Sequence, residues 1–133
     1  MSMSRLLAID DEVTVLIVLN ALFKSAGLEV VTSQGGQHAT NLVRGGGFDL
    51  IVSDIRMSPI NGLEFLKLSK AEHPETVVIM ISAYEAPAAL TQLKEMGAFA
   101  FVKKPFDNNE LLRLVRKGLD KAPRKEKLQP PNC

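Results

Sequence analysis

The feature that most constrains this chain is an alternation: five short runs, each followed by a longer stretch with helical spacing. The runs are Leu6–Ile9, Glu29–Thr32, Leu50–Val52, Val77–Ile81 and Ala98–Val102. They are too short for ordinary helices and are bounded by Asp, Gly, Pro or Ser, so they read as strands. All but the weaker Glu29–Thr32 are continuously apolar, as expected of strands buried on both faces. Between them, Val13–Ala26, Gln37–Arg44, Leu63–Glu72, Pro87–Met96 and Glu110–Leu119 carry helical spacing. Five βα units require a mostly parallel sheet with right-handed crossovers, hence a three-layer α/β domain with helices on both faces.

Local signals agree with that pattern. Gly27 and Gly97 stand where the first and fourth helices should stop, and Asp107 with Glu110 is spaced as a capping box for the fifth. A chain of 133 residues, 46% hydrophobic, supports one core better than two. The expected domain covers residues 1–121. Residues 122–133, where Lys and Arg mix with three prolines, have no apolar periodicity and are expected to form a flexible tail or a linker remnant.

Composition narrows the setting. A formal net charge of +1 gives no global field for nucleic acid or anionic membrane, so neither is expected as a partner of this segment. The single cysteine, Cys133, cannot form an intrachain disulfide or a thiolate zinc site. No apolar run approaches the ~20 residues of a membrane span, and Met1–Arg5 has no signal-peptide pattern. The expectation is a cytoplasmic protein.

In open α/β sheets, the loops at the carboxyl ends of strands build the site. Here those loops begin with Asp10-Asp11-Glu12, Ser53-Asp54, Ser82-Ala83-Tyr84 and Lys103-Lys104-Pro105. If the first and third strands are neighbours, Asp10, Asp11 and Asp54 converge, and three carboxylates that close call for a cation. A few protein oxygens with room for water suit Mg²⁺ better than Ca²⁺. Ser82 adds a hydroxyl and Lys104 a fixed positive charge, which completes what phosphoryl transfer to a carboxylate demands. The paired acids suit metal binding, leaving Asp54 as the acceptor.

The set Leu7 to Glu12, Asp54-Ile55-Arg56-Met57 with Gly62, Ser82-Ala83, Gly97-Ala98 and Lys104-Pro105-Phe106 resembles the receiver domain of bacterial response regulators, the CheY-like superfamily, over about residues 4 to 121. The resemblance implies a flavodoxin-like (βα)5 fold with strand order 2-1-3-4-5. It implies Mg²⁺ held by Asp11, Asp54 and the backbone carbonyl of Arg56, with Asp10 acting through water. Ser82 and Lys104 would bind the phosphoryl group on Asp54, and the Lys104-Pro105 bond would be cis. Phe101 takes the position of an aromatic rotamer switch, although strand alternation also makes it a plain core residue.

The same resemblance implies a histidine kinase or phosphotransfer protein as phosphoryl donor. It further implies a phosphorylation-dependent surface around the fourth helix, fifth strand and fifth helix, which would serve an output domain, a target protein or a homodimer. Arg56 and Tyr84, two positions beyond Asp54 and Ser82, are expected to flank the phosphoryl group and modulate its hydrolysis. Two positions depart from the family: Ser58 followed by Pro59 where a proline is usual at 58, and Asn61 for the usual Asp before Gly62.

Other readings are weaker. An aspartate-nucleophile phosphatase would carry a second Asp where Arg56 stands, and a phosphorylation-independent interaction module would not need the full set of acids, hydroxyl and lysine. Gly45-Gly46-Gly47 lacks the Lys and Ser or Thr of a phosphate loop and precedes a strand, so a flexible connection is expected. His38 and His73 have no partner at ligand spacing and are expected on the surface.

Overall fold

A computed structural model of the chain describes residues 3–83 and 85–121. Its elements alternate throughout: β1 (Arg5–Ile9), α1 (Val13–Ser25), β2 (Glu29–Ser33), α2 (Gly36–Gly45), β3 (Leu50–Asp54), α3 (Gly62–Glu72), β4 (Val77–Ser82), α4 (Pro87–Glu95), β5 (Ala100–Lys103) and α5 (Asn108–Lys121). All strand pairs are parallel, in the order β2-β1-β3-β4-β5. Tyr84 and the expected tail at 122–133 lie outside the described residues.

The period-two alternation of β1 explains the three layers. Leu6 and Ala8 face a core shared with Leu16, Leu19 and Phe23 of α1 and with Leu111 and Val115 of α5. Leu7 and Ile9 face the opposite core, shared with Val43 of α2, Phe65 and Leu66 of α3 and Leu93 of α4. Every residue of β3 is buried, as a strand covered on both sides should be. Each fully buried Leu or Phe contributes ~1.5–3 kcal/mol, so these two cores carry most of the gross stabilisation.

The glycine signals end their helices as expected. Leu28 N donates to Phe23 O and Gly27 N to Lys24 O; Ala98 N donates to Leu93 O and Gly97 N to Lys94 O. Both are 6→1 and 5→2 bonds around a left-handed residue, the Schellman arrangement. The Asp107 side chain accepts from Glu110 N at 3.0 Å, but Glu110 turns to Arg113, so only half of the expected box forms.

Four expectations need correction. β5 starts at Ala100, two residues late, because Gly97 and Ala98 are consumed by the helix stop. It is an edge strand in which only Val102 is buried, while Ala100 packs partly against one core and Phe101 partly against the other. The Gly45–Gly47 stretch is a tight closure: Gly46 N donates to Leu42 O and Val43 O, and a Cβ on Gly46, at φ +70, would stand 2.4 Å from the His73 ring. His38 is exposed, whereas His73 is half-buried with Nε2 2.9 Å from Arg44 O, bracing that closure. Among the described residues no helix is long and apolar enough to cross a membrane.

Candidate phosphoryl-transfer site

The four strand ends named in the sequence meet at one edge of the sheet. Asp10 follows β1 directly and its N–H still donates to Ser33 O of β2, which fixes it as an extension of the strand. Its side chain is 1% exposed. Asp10 Oδ1 accepts from Glu12 N at 2.9 Å, an Asx-type turn that starts the chain into α1. Asp54 closes β3 opposite Ile81, and Ser82 closes β4 opposite Lys103.

Lys104 N donates to Ser82 O at 2.9 Å, and the cis Lys104-Pro105 bond expected by resemblance is present; Ser58-Pro59 is a second cis bond. From that anchored backbone Lys104 Nζ reaches Asp10 Oδ2 at 2.8 Å, Glu12 Oε1 at 3.0 Å and Asp54 Oδ2 at 3.3 Å. The adjacent Lys103 is exposed.

Gly62 has a steric role that its place in the motif did not reveal. A Cβ there would lie 2.0 Å from Asp54 O, so only glycine lets α3 begin against the end of β3. Gly62 N donates to Ile55 O at 2.8 Å, locking the loop that carries Arg56. Asn61, the departure from the family pattern, is the N-cap of α3 and accepts from Leu63 N at 3.0 Å. The substitution therefore keeps a capping function.

Electrostatically the site is under tension. Burial pushes the Asp10 carboxyl up, with Lys104 working against it. Burial, then the charge of Asp10, pushes Asp54 up, again opposed by Lys104. Burial disfavours the Lys104 ammonium, but the hydrogen bonds and charges of Asp10, Glu12 and Asp54 outweigh it and raise its pKa. Asp10 Oδ2 is buried and, among the described residues, meets only the Lys104 ammonium, at 2.8 Å.

Asp10, Asp11, Glu12 and Asp54 each present a carboxylate oxygen, all within 4.8 Å of one another. Clustered hard oxygens with one under-satisfied member fit a divalent cation. Asp11, Glu12, Asp54, Arg56, Ser82 and Lys104 line a cavity of about 400 Å³ over this cluster.

Two participants were not singled out in the sequence. Glu12 shares Lys104, and its membership in the acidic triplet was the available signal. Glu85 receives Ser82 Oγ at 3.1 Å and a two-pronged contact from Arg56, Nε at 2.8 Å and Nη2 at 3.2 Å. Phe101 is half-buried in the core beneath α3 and α4, opposite Met80 in the register.

The sequence pattern of the response regulator receiver domain matches residues 6–116. The transcriptional regulatory protein ZraR of Escherichia coli K12 is 31% identical over 114 residues, covering 86% of this chain and 26% of that protein. The chain thus spans about a quarter of the length of the curated relatives it matches.

Among solved structures, a CheY-like response regulator receiver domain protein of Methanospirillum hungatei JF-1 superposes with a TM-score of 0.87 at 24% identity, covering 96% of this chain and all of that one. The response regulator TrrA of Thermotoga maritima in complex with Mg²⁺ and BeF has a TM-score of 0.78 at 29% identity, covering 87% of this chain and 99% of that one. With the strand order, the strand-end site and this match over most of its length, the chain belongs to the response regulator receiver domain family.

Proposed function

We propose that this receiver domain is a phosphorylation switch in a two-component relay, with Asp54 as phosphoacceptor. The observation that carries the reading is one ammonium, Lys104 Nζ, 2.8 Å from Asp10 and 3.3 Å from Asp54, with Asp54 and Lys104 lining an open cavity. A buried carboxylate with a fixed ammonium beside it is placed both to attack phosphorus and to have the resulting charge neutralised. An Asp54 carboxylate oxygen attacks the phosphorus of a phosphohistidine on a kinase or phosphotransfer protein. The P–N bond breaks, its electron pair stays on the imidazole nitrogen, which takes up a proton, and an acyl phosphate forms.

Asp11, Asp54 and the Arg56 carbonyl would hold Mg²⁺, with Asp10 acting through water, and when bound the ion neutralises charge on the phosphoryl oxygens. Lys104 exchanges Asp54 for the phosphoryl group, and the Ser82 hydroxyl donates to it. The added charge and acceptor oxygens bias a surface of α4, β5 and α5, with Phe101 moving from half-buried to buried. Kinase, output domain, target protein or a second copy of the chain would read that surface. Arg56 bounds the path of an attacking water and so lengthens the phosphorylated state; Tyr84, assigned the same role from its place after Ser82, lies outside the described residues. The domain so defined spans residues 1–121 in the cytoplasm, regulates rather than turns over substrate, and assists only its own phosphorylation and dephosphorylation.

Intact mass after incubation with acetyl phosphate and Mg²⁺ tests the reading. The expected result is one added phosphoryl group on the parent, none on Asp54→Asn, and none with the metal chelated. Addition to Asp54→Asn at the parental rate, or no addition to any sample, would overturn it.

A further inference from the structure

Glu85 sits in the connection between β4 and α4, two residues before Pro87 opens the helix. A glutamate in such a loop is ordinarily solvated, yet its side chain is only 7% exposed while its partner Arg56 is 69% exposed. Both its oxygens are engaged by Arg56, and Oε2 also receives the Ser82 hydroxyl. A buried carboxylate is tolerated only when it is paired and hydrogen-bonded, and these donors satisfy that condition.

Those two donors also belong to residues that border the space over Asp54. Ser82 and Arg56 line the cavity over the acceptor, and Arg56 also lines the adjoining cavity that Glu85 borders with Asp11. A serine hydroxyl has one proton and can donate to one acceptor at a time. A two-pronged guanidinium contact likewise commits the edge of Arg56 to one anion. A phosphoryl group on Asp54 and the carboxylate of Glu85 therefore compete for the same donors, and as like charges they repel.

We infer that Glu85 is an internal anion that holds the unphosphorylated state by occupying Ser82 and Arg56; this rests on the reading of Asp54 as acceptor. Phosphorylation takes both donors, Glu85 is expelled, and the backbone before Pro87 moves with it. The release is thereby delivered to the first turn of α4, the edge of the proposed signalling surface. Glu85 is a positioning residue: it acts through Ser82 and Arg56 and does not touch the reacting atoms.

The test is the initial rate of phosphoryl loading of the full chain by acetyl phosphate at saturating Mg²⁺, read by intact mass. Glu85→Gln keeps the size of the side chain and removes its charge, so it should load about fivefold faster or more, the lower range of a coupling between two sites. Glu85→Asp keeps the charge and should stay near the parental rate, which a merely structural role would not produce. In an Arg56→Ala background the gain from Glu85→Gln should shrink, as a double-mutant cycle requires of residues that act through each other. Parental and Glu85→Gln rates that agree, or equal changes in the Gln and Asp variants, overturn the inference while leaving Asp54 as acceptor.

A parent that never loads removes the acceptor and the competition together. Independently of any variant, the Arg56 Nε–H resonance of the parent should move when beryllofluoride and Mg²⁺ are added, and a stationary resonance with bound beryllofluoride overturns the inference.

Discussion

Replacing Lys104 with methionine removes the cation that pairs with two buried acids while keeping most of the side-chain volume. The Lys104 side chain is 14% exposed, against 1% for Asp10 and 6% for Asp54, so both pairs are shielded from water. Glu12 is 59% exposed, and its pairing adds little, under ~1 kcal/mol. Breaking a buried pair by deleting one partner costs about 3–5 kcal/mol. The lower end applies here, because Asp10 and Asp54 can take up protons. The variant should therefore lose about 3 kcal/mol, or on the order of 10 °C in Tm for a domain of this size. Thermal and urea melts in chelator would measure it. Mg²⁺ should narrow the gap between variant and parent, since a divalent ion at the carboxylate cluster replaces the missing charge. A variant as stable as the parent without metal, or an equal gain from Mg²⁺ in both, would refute the charge balance described for the site.

The metal-free parent should also respond to pH. Asp10 and Asp54 have folded pKa values raised above their ordinary ones, so between those values the folded state binds more protons and stability falls as pH rises. The loss should be complete above the raised folded values, smaller in Asp54→Asn and reduced by Mg²⁺; urea midpoints that climb from pH 4 to 7 in chelator would contradict it. Lys104 contributes fully below the ordinary lysine range and loses its contribution only in strong alkali, so it does not shape this window. Gly62→Ala should destabilise by about 1–3 kcal/mol through overpacking, since its Cβ would meet Asp54 O and neither group is a flexible side chain. It should slow phosphoryl loading as well, and a variant that matches the parent in melts and loading would show that the loop relaxes freely.

The fold was legible because the physics of its strands is local. Leu50–Val52 and Val77–Ile81 are apolar without alternation, which fits a strand covered on both faces. The two Schellman stops needed only a glycine at the right offset. The strand ends were legible for the same reason, since a parallel sheet brings the residues after each strand to one edge. Pairings distant in sequence were hidden. Nothing near Gly46 announces that His73 will press on it, so a tight closure read as a flexible one. Glu85 looked like any loop acid, because its partner Arg56 lies 29 positions earlier. The exposure of β5 depends on its being the last strand in the sheet, and its apolar run alone could not reveal that.

The parallel register has a consequence for how this molecule can vary in length. Asp54, Ser82 and Lys104 are aligned because each strand is counted from its pairing with a neighbour, not from the chain termini. One residue inserted within β3 or β4 would carry its terminal side chain about 3.3 Å along the sheet and turn it to the opposite face. The same insertion between a helix and the next strand, at the far edge, leaves every strand end in place. The domain thus has one edge that tolerates changes in spacing and one that does not, and a tag or reporter loop belongs at the first.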